Sequence, residues 1–305
     1  MSESVSTTGN TVPPPEQTSK KTTKLFIPVT NSTDRDVVLC GVLEQLAPDE
    51  PTQGRKLALI AHGTMGHKDY LFQKRLALRL PIDSFRLDFR GNHESNGPFR
   101  FGGFAWDVED LHAVAAYLTT QYGYTIDLLV GHSRGVVDLF RWICTSELAK
   151  DVRGFVNVSG RYRMPKIRDN LTEAERELLV TQGSYVVKAI VARKPFECTV
   201  TNADLDEFSS FDSSLVWEQF PPTTHALTLH GLKDQVVPPF DATIYARVLG
   251  ARRPGTHNLC FVEDADHNFT GLSDFVVINV LEWFQQLERG QLKTGIWQTG
   301  VRGKL

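Results

Sequence analysis

The chain has 305 residues, a formal net charge of −3 at pH 7 and a pI near 6.3. A nucleic-acid-binding protein concentrates basic charge, and this sequence has no such patch, so no nucleic-acid partner is predicted. No run of about eighteen apolar residues occurs, which argues against a membrane span. The four cysteines are scattered without CxxC spacing, so no metal site is predicted. These properties favour a cytoplasmic protein.

The N-terminal segment differs from the rest of the chain. Residues 1–23 are rich in Ser, Thr, Pro and Lys and have almost no large apolar side chains, so they are predicted to be a disordered tail and not a secretory signal. Two strands, KLFIPV and DVVLCGVLEQL, are predicted next, with a turn at residues 31–35 between them. We assign residues 24–290 to one domain and residues 291–305 to a C-terminal tail.

Short apolar runs then alternate with longer helical patterns. The predicted strands are KLALIAH, DSFRLDF, IDLLVGH, VRGFVNVS, ALTLHG and NLCFVED, and helices are predicted near residues 70–79, 105–122, 135–148, 240–249 and 273–288. Strands that are apolar throughout and separated by helices indicate a mostly parallel sheet with helices on both faces. The predicted fold class is therefore α/β.

This alternation breaks between about residues 161 and 222. The stretch MPKIRDNLTEAERELLVTQG has a helical charge pattern, and the remainder mixes aromatic, acidic and Ser residues without strong strand signals. Strands of the earlier type resume at ALTLHG, which favours an insertion over a linker between two domains. We expect the insertion to lie over the sheet end where ligands bind in such folds.

A serine lies between a predicted buried strand and a predicted helix in DLLVGHSRGVVDLF, residues 127–140. The glycines of GHSRG keep side chains out of a strained turn, so the hydroxyl of Ser133 is expected to stand clear at the carboxyl edge of the sheet. The start of the helix adds amide donors and a positive dipole end. We interpret Ser133 as a nucleophile. The alternative is a glycine-rich turn without chemistry.

A nucleophilic serine needs a base, and the base needs an acid that fixes its tautomer. Asp234 follows the strand ALTLHG, and His267 follows the strand NLCFVED. The chain order Ser, Asp, His is that of α/β-hydrolase triads. Glu263, Asp264 and Asp266 are alternative acids, but neighbours in one loop rarely point at one another as a triad requires. Earlier loop histidines precede the serine, which disfavours them as the base: His62, His67, His93 and His132.

A tetrahedral intermediate needs hydrogen-bond donors for its oxyanion. The backbone amide of Arg134, directly after the nucleophile, is one candidate. The loop HGTMGHKDY after the strand KLALIA supplies the other, with the amide of Thr64 as the best candidate. A glycine-rich turn without a role is the alternative for this loop. The loop LDFRGNHESNG at the same edge is expected to give structural support.

Six motifs of this chain resemble the α/β-hydrolase superfamily: HGTMGHKDY, DFRGNHESNG, GHSRG, NVSGRY, HGLKDQVVP and EDADHNF. Within it they are similar to serine hydrolases that include feruloyl- and cinnamoyl-esterase-like and serine-aminopeptidase-like proteins. The similarity covers roughly residues 25–290. It implies that residues 161–222 form a small cap that shapes the pocket. It also implies the same triad and oxyanion amides at Ser133, Asp234, His267, Thr64 and Arg134.

Two residues depart from the pattern of that group. Val136 stands where its members commonly have a second glycine, and Thr64 stands where they often have an aromatic or aliphatic residue. Since Gly135 already satisfies the turn, we expect the turn to be intact, with slightly tighter helix packing.

The predicted function is hydrolysis of carboxylic esters of small to medium size through an acyl-enzyme. Activity is expected to fall when acid protonates the base. Cleavage of amides or thioesters by the same triad is the first alternative, because the cap decides the substrate. A binding protein of this fold without turnover is the second. The sequence has neither a Walker lysine motif nor a dinucleotide fingerprint, so no cofactor is predicted.

Overall fold

The structure is a computed structural model that describes residues 19–30 and 36–298. The strands are β1 (Lys21–Pro28), β2 (Val38–Gln45), β3 (Lys56–Ala61), β4 (Asp83–Leu87), β5 (Thr125–His132), β6 (Gly154–Val158), β7 (Ser184–Val191), β8 (Lys194–Thr201), β9 (His225–Gly231), β10 (His257–Val262) and β11 (Gly295–Ile296). The α-helices are α1 (Gln73–Arg79), α2 (Phe104–Tyr122), α3 (Arg134–Thr145), α4 (Glu173–Thr181), α5 (Asn202–Ser210), α6 (Phe240–Gly250) and α7 (Ser273–Glu288). Within these ranges, no helix combines the length and hydrophobicity that crossing a membrane requires.

The main sheet has the strand order β1-β2-β4-β3-β5-β6-β9-β10-β11. The pairs β1–β2 and β2–β4 are antiparallel, and every other neighbouring pair is parallel. Alternate side chains of β3 enter different cores: Leu57 and Leu59 pack with residues of α2 and α3, whereas Ala58 and Ile60 pack with residues of α1 and α7. Helices therefore cover both faces, which confirms the predicted α/β class.

The sheet extends beyond the predicted domain at both ends. Strand β1 begins at Lys21, so the predicted start at residue 24 is wrong. Its first residues are polar and form an exposed edge against β2, which gives them no apolar signal. The predicted end at residue 290 is also wrong, because β11 pairs with β10, and Leu292 and Trp297 are buried in the core. Residues 1–18 and 299–305 of the predicted tails, and the predicted turn at residues 31–35, lie outside the described residues.

Residues 161–222, which we call the inserted segment, lie between β6 and β9. The predicted helical stretch forms the 3-10 helix Met164–Asn170 and α4. The rest is more regular than the sequence indicates, because β7 and β8 form a separate antiparallel sheet where no strand is predicted. Thr172 caps α4 and Thr201 caps α5, each in a capping box that stabilises the first turn of its helix.

Candidate active site

Ser133 lies in a sharp turn between β5 and α3. Its backbone has φ 52° and ψ −117°, a conformation that is strained for a residue with a side chain. The flanking glycines make the turn possible. A Cβ at Gly131 would lie 2.7 Å from the amide nitrogen of Val136, and a Cβ at Gly135 would lie 2.5 Å from the carbonyl oxygen of His62. Only residues without side chains fit here, and the serine is the side chain that the turn presents.

The turn is also fixed from the neighbouring strand. The amide of Ser133 donates a hydrogen bond of 2.9 Å to the carbonyl of Val158 at the end of β6. Val136 is fully buried beside Gly160. A Cβ atom at position 160 would lie only 2.5 Å from Cγ1 of Val136. A glycine at position 160 thus leaves the room that the valine at position 136 needs.

The structure brings the three predicted triad residues together. The hydroxyl of Ser133 lies 2.9 Å from Nε2 of His267, and Nδ1 of His267 lies 2.8 Å from Oδ2 of Asp234. With Nδ1 protonated, His267 donates to the carboxylate and its Nε2 accepts from the serine hydroxyl. The arrangement can pass a proton from the serine to the imidazole.

Asp234 is held as a carboxylate. Its Oδ1 accepts hydrogen bonds from the amides of Val236 and Val237 at 2.9 and 2.8 Å. Burial by itself raises the pKa of Asp234, but hydrogen bonds from His230, His267 and the amide of Val237 outweigh burial and hold that pKa well below its ordinary value. The group that orients the imidazole therefore keeps its negative charge.

The three alternative acids have other surroundings. Asp266 accepts the amides of Asn268 and Thr270 at 3.1 and 2.9 Å, so it closes its own loop. Asp264 forms an ion pair of 2.6 Å with Lys233. Glu263 is exposed to solvent. None of these contacts involves the ring of His267.

Two side chains hold the backbone of His267. Its carbonyl accepts a hydrogen bond of 2.9 Å from Nε2 of His132 and one of 3.0 Å from the hydroxyl of Ser159. Burial lowers the pKa of His132 to about 3, so this ring is neutral. Sequence reasoning missed both roles. The sequence signal for both roles is position. His132 ends β5 and Ser159 directly follows β6, at the sheet edge where Ser133, Asp234 and His267 meet.

The two residues whose amides are predicted to bind the oxyanion line the same pocket as Ser133. Thr64 and Arg134 both border it, and among the described residues neither backbone amide has a hydrogen-bond partner. A Cβ at Gly63 would lie 3.1 Å from the Cβ of Ser133, so Gly63, the residue before Thr64, packs directly against Ser133. The amides of Thr64 and Arg134 therefore stay the predicted donors for an oxyanion.

His62 positions this loop. Its Nδ1 donates to the carbonyl of Gly63 at 2.7 Å, and its Nε2 accepts from the amide of Phe89 at 3.1 Å. Burial lowers the pKa of His62 to about 4, so the ring is neutral. Phe89 belongs to the loop at residues 87–97, which therefore supports the loop that carries Thr64.

One cluster near these loops has the donor types of a metal site. Ligand atoms of Cys40, Asp88 and Glu94 lie within 4.8 Å of one another. The ammonium of Lys68 contacts both carboxylates, at 2.5 Å for Asp88 and 2.6 Å for Glu94. A lysine thus supplies the positive charge that these acids need.

A cavity of about 300 Å³ opens onto Ser133. Most of its wall is aromatic or aliphatic, with contributions from Tyr70, Phe101, Phe104, Val137, Ile167 and Phe208. Two of these residues, Ile167 and Phe208, belong to the inserted segment, which borders the pocket. Such a pocket suits a small substrate with an apolar portion.

Comparisons with known proteins bear on the fold of the chain. No family model matches the chain. The protein YDL057W of Saccharomyces cerevisiae is 27% identical over 243 residues, which cover 71% of this chain and 70% of that protein. Est1E of Butyrivibrio proteoclasticus, solved with ferulic acid bound, has a TM-score of 0.68 and 15% identity over 87% of this chain and 99% of its own.

Two further solved structures have the same architecture. The esterase domain of a Rhodothermus marinus protein has a TM-score of 0.58 and 20% identity over 87% of this chain and 98% of its own. Mouse alpha/beta hydrolase domain-containing protein 10 has a TM-score of 0.62 and 12% identity over 87% of this chain and 99% of its own. The chain has the α/β-hydrolase fold, which confirms the resemblance of its motifs.

Proposed function

We propose that the protein is a serine hydrolase that cleaves carboxylic esters of small to medium size through an acyl-enzyme intermediate. The observation that carries this proposal is the continuous contact from the Ser133 hydroxyl through His267 to Asp234, at 2.9 and 2.8 Å. The esterases among the proteins of similar fold favour an ester as the substrate bond. The cytoplasmic location stays a prediction.

The reaction follows from this geometry. His267 takes the proton of Ser133 at Nε2 while the serine oxygen attacks the ester carbonyl carbon. The carbonyl oxygen becomes an oxyanion that the amides of Thr64 and Arg134 stabilise. The protonated His267 then gives its proton to the alkoxy oxygen, and the alcohol leaves. Water then attacks the acyl carbonyl carbon and gives a proton to His267. His267 passes this proton to the oxygen of Ser133 as the acyl–oxygen bond breaks, which releases the acid and regenerates the serine hydroxyl.

Each supporting contact has a function in this scheme. Asp234 fixes the tautomer of His267 and stabilises the imidazolium that forms in each half-reaction. His132 and Ser159 hold the His267 carbonyl, so the ring faces Ser133 before substrate binds. The neutral state of His132 suits its place beside the imidazolium, because a second positive charge there would oppose proton transfer.

The test is covalent labelling combined with turnover. Purified wild-type protein should react with a fluorophosphonate probe at Ser133, identified by mass spectrometry, and should hydrolyse short 4-nitrophenyl esters. Ser133→Ala should label no more than background and lose about 10⁴-fold or more in turnover. Equal labelling of the two proteins would refute the nucleophile and leave the binding-protein alternative.

The bond class is tested in the same assay. We expect esters to be hydrolysed faster than matched thioesters and aminoacyl anilides. Faster turnover of the anilide would assign the protein to amide cleavage, and faster turnover of the thioester would assign it to thioester cleavage. Thermal unfolding of Ser133→Ala serves as the folding control, because the substitution removes only an oxygen atom.

A further inference from the structure

Arg161 is a buried cation in the wall of the pocket that contains Ser133. It follows β6 in the motif NVSGRY, and only 4% of its surface is exposed. One guanidinium nitrogen donates to the carbonyl of Val236 at 2.6 Å. The other terminal nitrogen, Nη1, is buried and has no hydrogen-bond partner among the described residues.

Two arginines near this site differ from Arg161 because each has an acid partner. Arg134, also in the pocket wall, bonds Asp107 at 2.5 Å and packs over the ring of Phe104 at 4.2 Å. Arg163 bonds Asp241 at 2.5 Å. In the part of the chain that the structure describes, Arg161 forms no ion pair.

Burying an arginine without an acidic partner costs free energy of folding. A residue that carries this cost at a pocket is therefore a candidate for ligand binding. Burial lowers the pKa of Arg161, and the more distant carboxylates of Asp241 and Asp234 act in the opposite direction. Its bond to Val236 supports the loop of Asp234, but this contact uses one N–H of the five that a guanidinium carries. The structural role therefore leaves two features of this pocket-lining residue unaccounted for: its charge and its buried, unpartnered donor Nη1.

We propose that Arg161 binds a carboxylate of the substrate, so that the enzyme acts preferentially on esters whose acyl or alcohol portion carries a carboxylate group. This inference rests on the proposed esterase function and narrows its substrate class. One guanidinium balances one carboxylate through charge-assisted hydrogen bonds. A phosphate carries about −1.5 to −2 charges near neutral pH, which would leave uncompensated negative charge in an apolar pocket.

The experiment compares substrates that differ only in this charge. The acyl series consists of 4-nitrophenyl half-esters of linear dicarboxylic acids of four to eight carbons, each paired with the terminal carboxamide. The alcohol series pairs acetoxybenzoate with acetoxybenzamide. The measured quantity is the ratio of kcat/KM for the acid to that for the amide. In wild type we expect this ratio to reach about 10 to 100 for at least one pair, the size of a charge-assisted hydrogen bond.

Variants assign the preference to the arginine. Arg161→Met should bring the ratio to 1 or below, and Arg161→Lys should keep part of it because the charge remains. Arg168→Met is the matched control. It removes a positive charge from the inserted segment at a residue that lies outside the pocket wall and pairs with Asp206, so its ratio should equal that of wild type. Because each ratio is taken within one protein, damage to the Asp234 loop affects both substrates and cancels.

A binding measurement adds a readout besides turnover. Adipate monoamide should bind to Ser133→Ala protein in calorimetry and should bind at least tenfold more weakly when Arg161→Met is added. Two outcomes would overturn the carboxylate site, provided that neutral esters still show Ser133-dependent turnover. One is an acid-to-amide ratio of kcat/KM near 1 for every pair in wild type, and the other is an unchanged ratio in Arg161→Met. Absence of Ser133-dependent turnover for all esters would instead refute the proposed function itself.

Discussion

Asp234 contacts the ring of His267 and Asp266 precedes His267 in the chain, but the two carboxylates have different hydrogen-bond partners. The carboxylate of Asp234 contacts Nδ1 of His267 across two adjacent loops, whereas Asp266 accepts amides of its own loop. Backbone amides also lower the pKa of Asp266, with the amide of Thr270 as the largest contribution. Two aspartates of equal charge thus form a matched pair for mutagenesis.

Asp234→Asn should lower kcat for ester hydrolysis by about 10⁴-fold, because the amide cannot stabilise the imidazolium and favours the wrong tautomer of His267. Asp266→Asn should retain activity within a few-fold of wild type, since the asparagine oxygen can still accept the loop amides. Steady-state kinetics on one ester compare the two variants. Loss of activity in Asp266→Asn with retention in Asp234→Asn would reverse the assignment of the acid.

The turn between β5 and α3 is the element that holds Ser133, the proposed nucleophile. Its fit is set by backbone contacts, because Gly135 lies against the carbonyl oxygens of His62 and Ala61. Backbone atoms cannot move aside as a flexible side chain can. The β5–α3 turn therefore tolerates no side chain at position 135. Gly250, at the end of α6, has no such backbone contact.

Gly135→Ala should abolish labelling of Ser133 and lower the free energy of unfolding by roughly 1–3 kcal/mol, the usual cost of overpacking. Gly250→Ala is the control. It lies at the end of α6, where a Cβ would meet only Thr294 Cγ2 at an ordinary 3.5 Å, so the free energy of unfolding should be unchanged or higher by about 0.4–1 kcal/mol. Urea unfolding and probe labelling measure both variants, and an active, stable Gly135→Ala protein would contradict the packing argument.

The hairpin of β7 and β8 shows why one element could not be predicted. Its two-residue turn consists of Ala192 and Arg193, with φ values of 48° and 66°. Positive φ at both positions is the geometry of a type I′ turn, for which Asn-Gly or Asp-Gly is the usual sequence signal. Neither is present here. Buried residues of the hairpin, Tyr185 and Val200 among them, pack with Leu179 of α4 and Leu205 of α5, and such contacts are not visible in a local sequence pattern.

At the scale of the whole molecule, the contact among the three triad candidates could be predicted because each candidate follows a strand with a clear apolar run. Parallel strands end at one edge, so Ser133, Asp234 and His267 were expected to meet there. Arg161 and Ser159 lie at the same edge after β6, but their contacts depend on what surrounds them in space. The missing partner of an arginine, or a hydroxyl aimed at a distant carbonyl, is a property of tertiary structure alone.

A buried histidine outside the triad, His257, is expected to make the stability of the molecule depend on pH. His257, at the start of β10, contacts the hydroxyl of Thr228 on β9 at 2.9 Å. Burial and the charge of Arg252 lower the pKa of His257 to about 3, whereas an unfolded histidine has a pKa of about 6.5. Between these values the unfolded chain binds a proton that the folded protein does not, so this group lowers the free energy of unfolding as pH falls.

His257→Gln should therefore lower the free energy of unfolding near pH 7 but make it less sensitive to acid. Between about pH 6 and pH 4, the wild-type value should fall by about 1.4 kcal/mol per pH unit more than that of the variant. Other groups titrate in this window, including Asp110, whose pKa burial raises to about 7 and which acts in the opposite direction. They are common to both proteins and cancel in the difference. Urea unfolding at a series of pH values measures this difference in the free energy of unfolding. If the free energies of the two proteins change with pH in parallel, His257 binds its proton equally well in the folded and unfolded states, which would contradict the prediction.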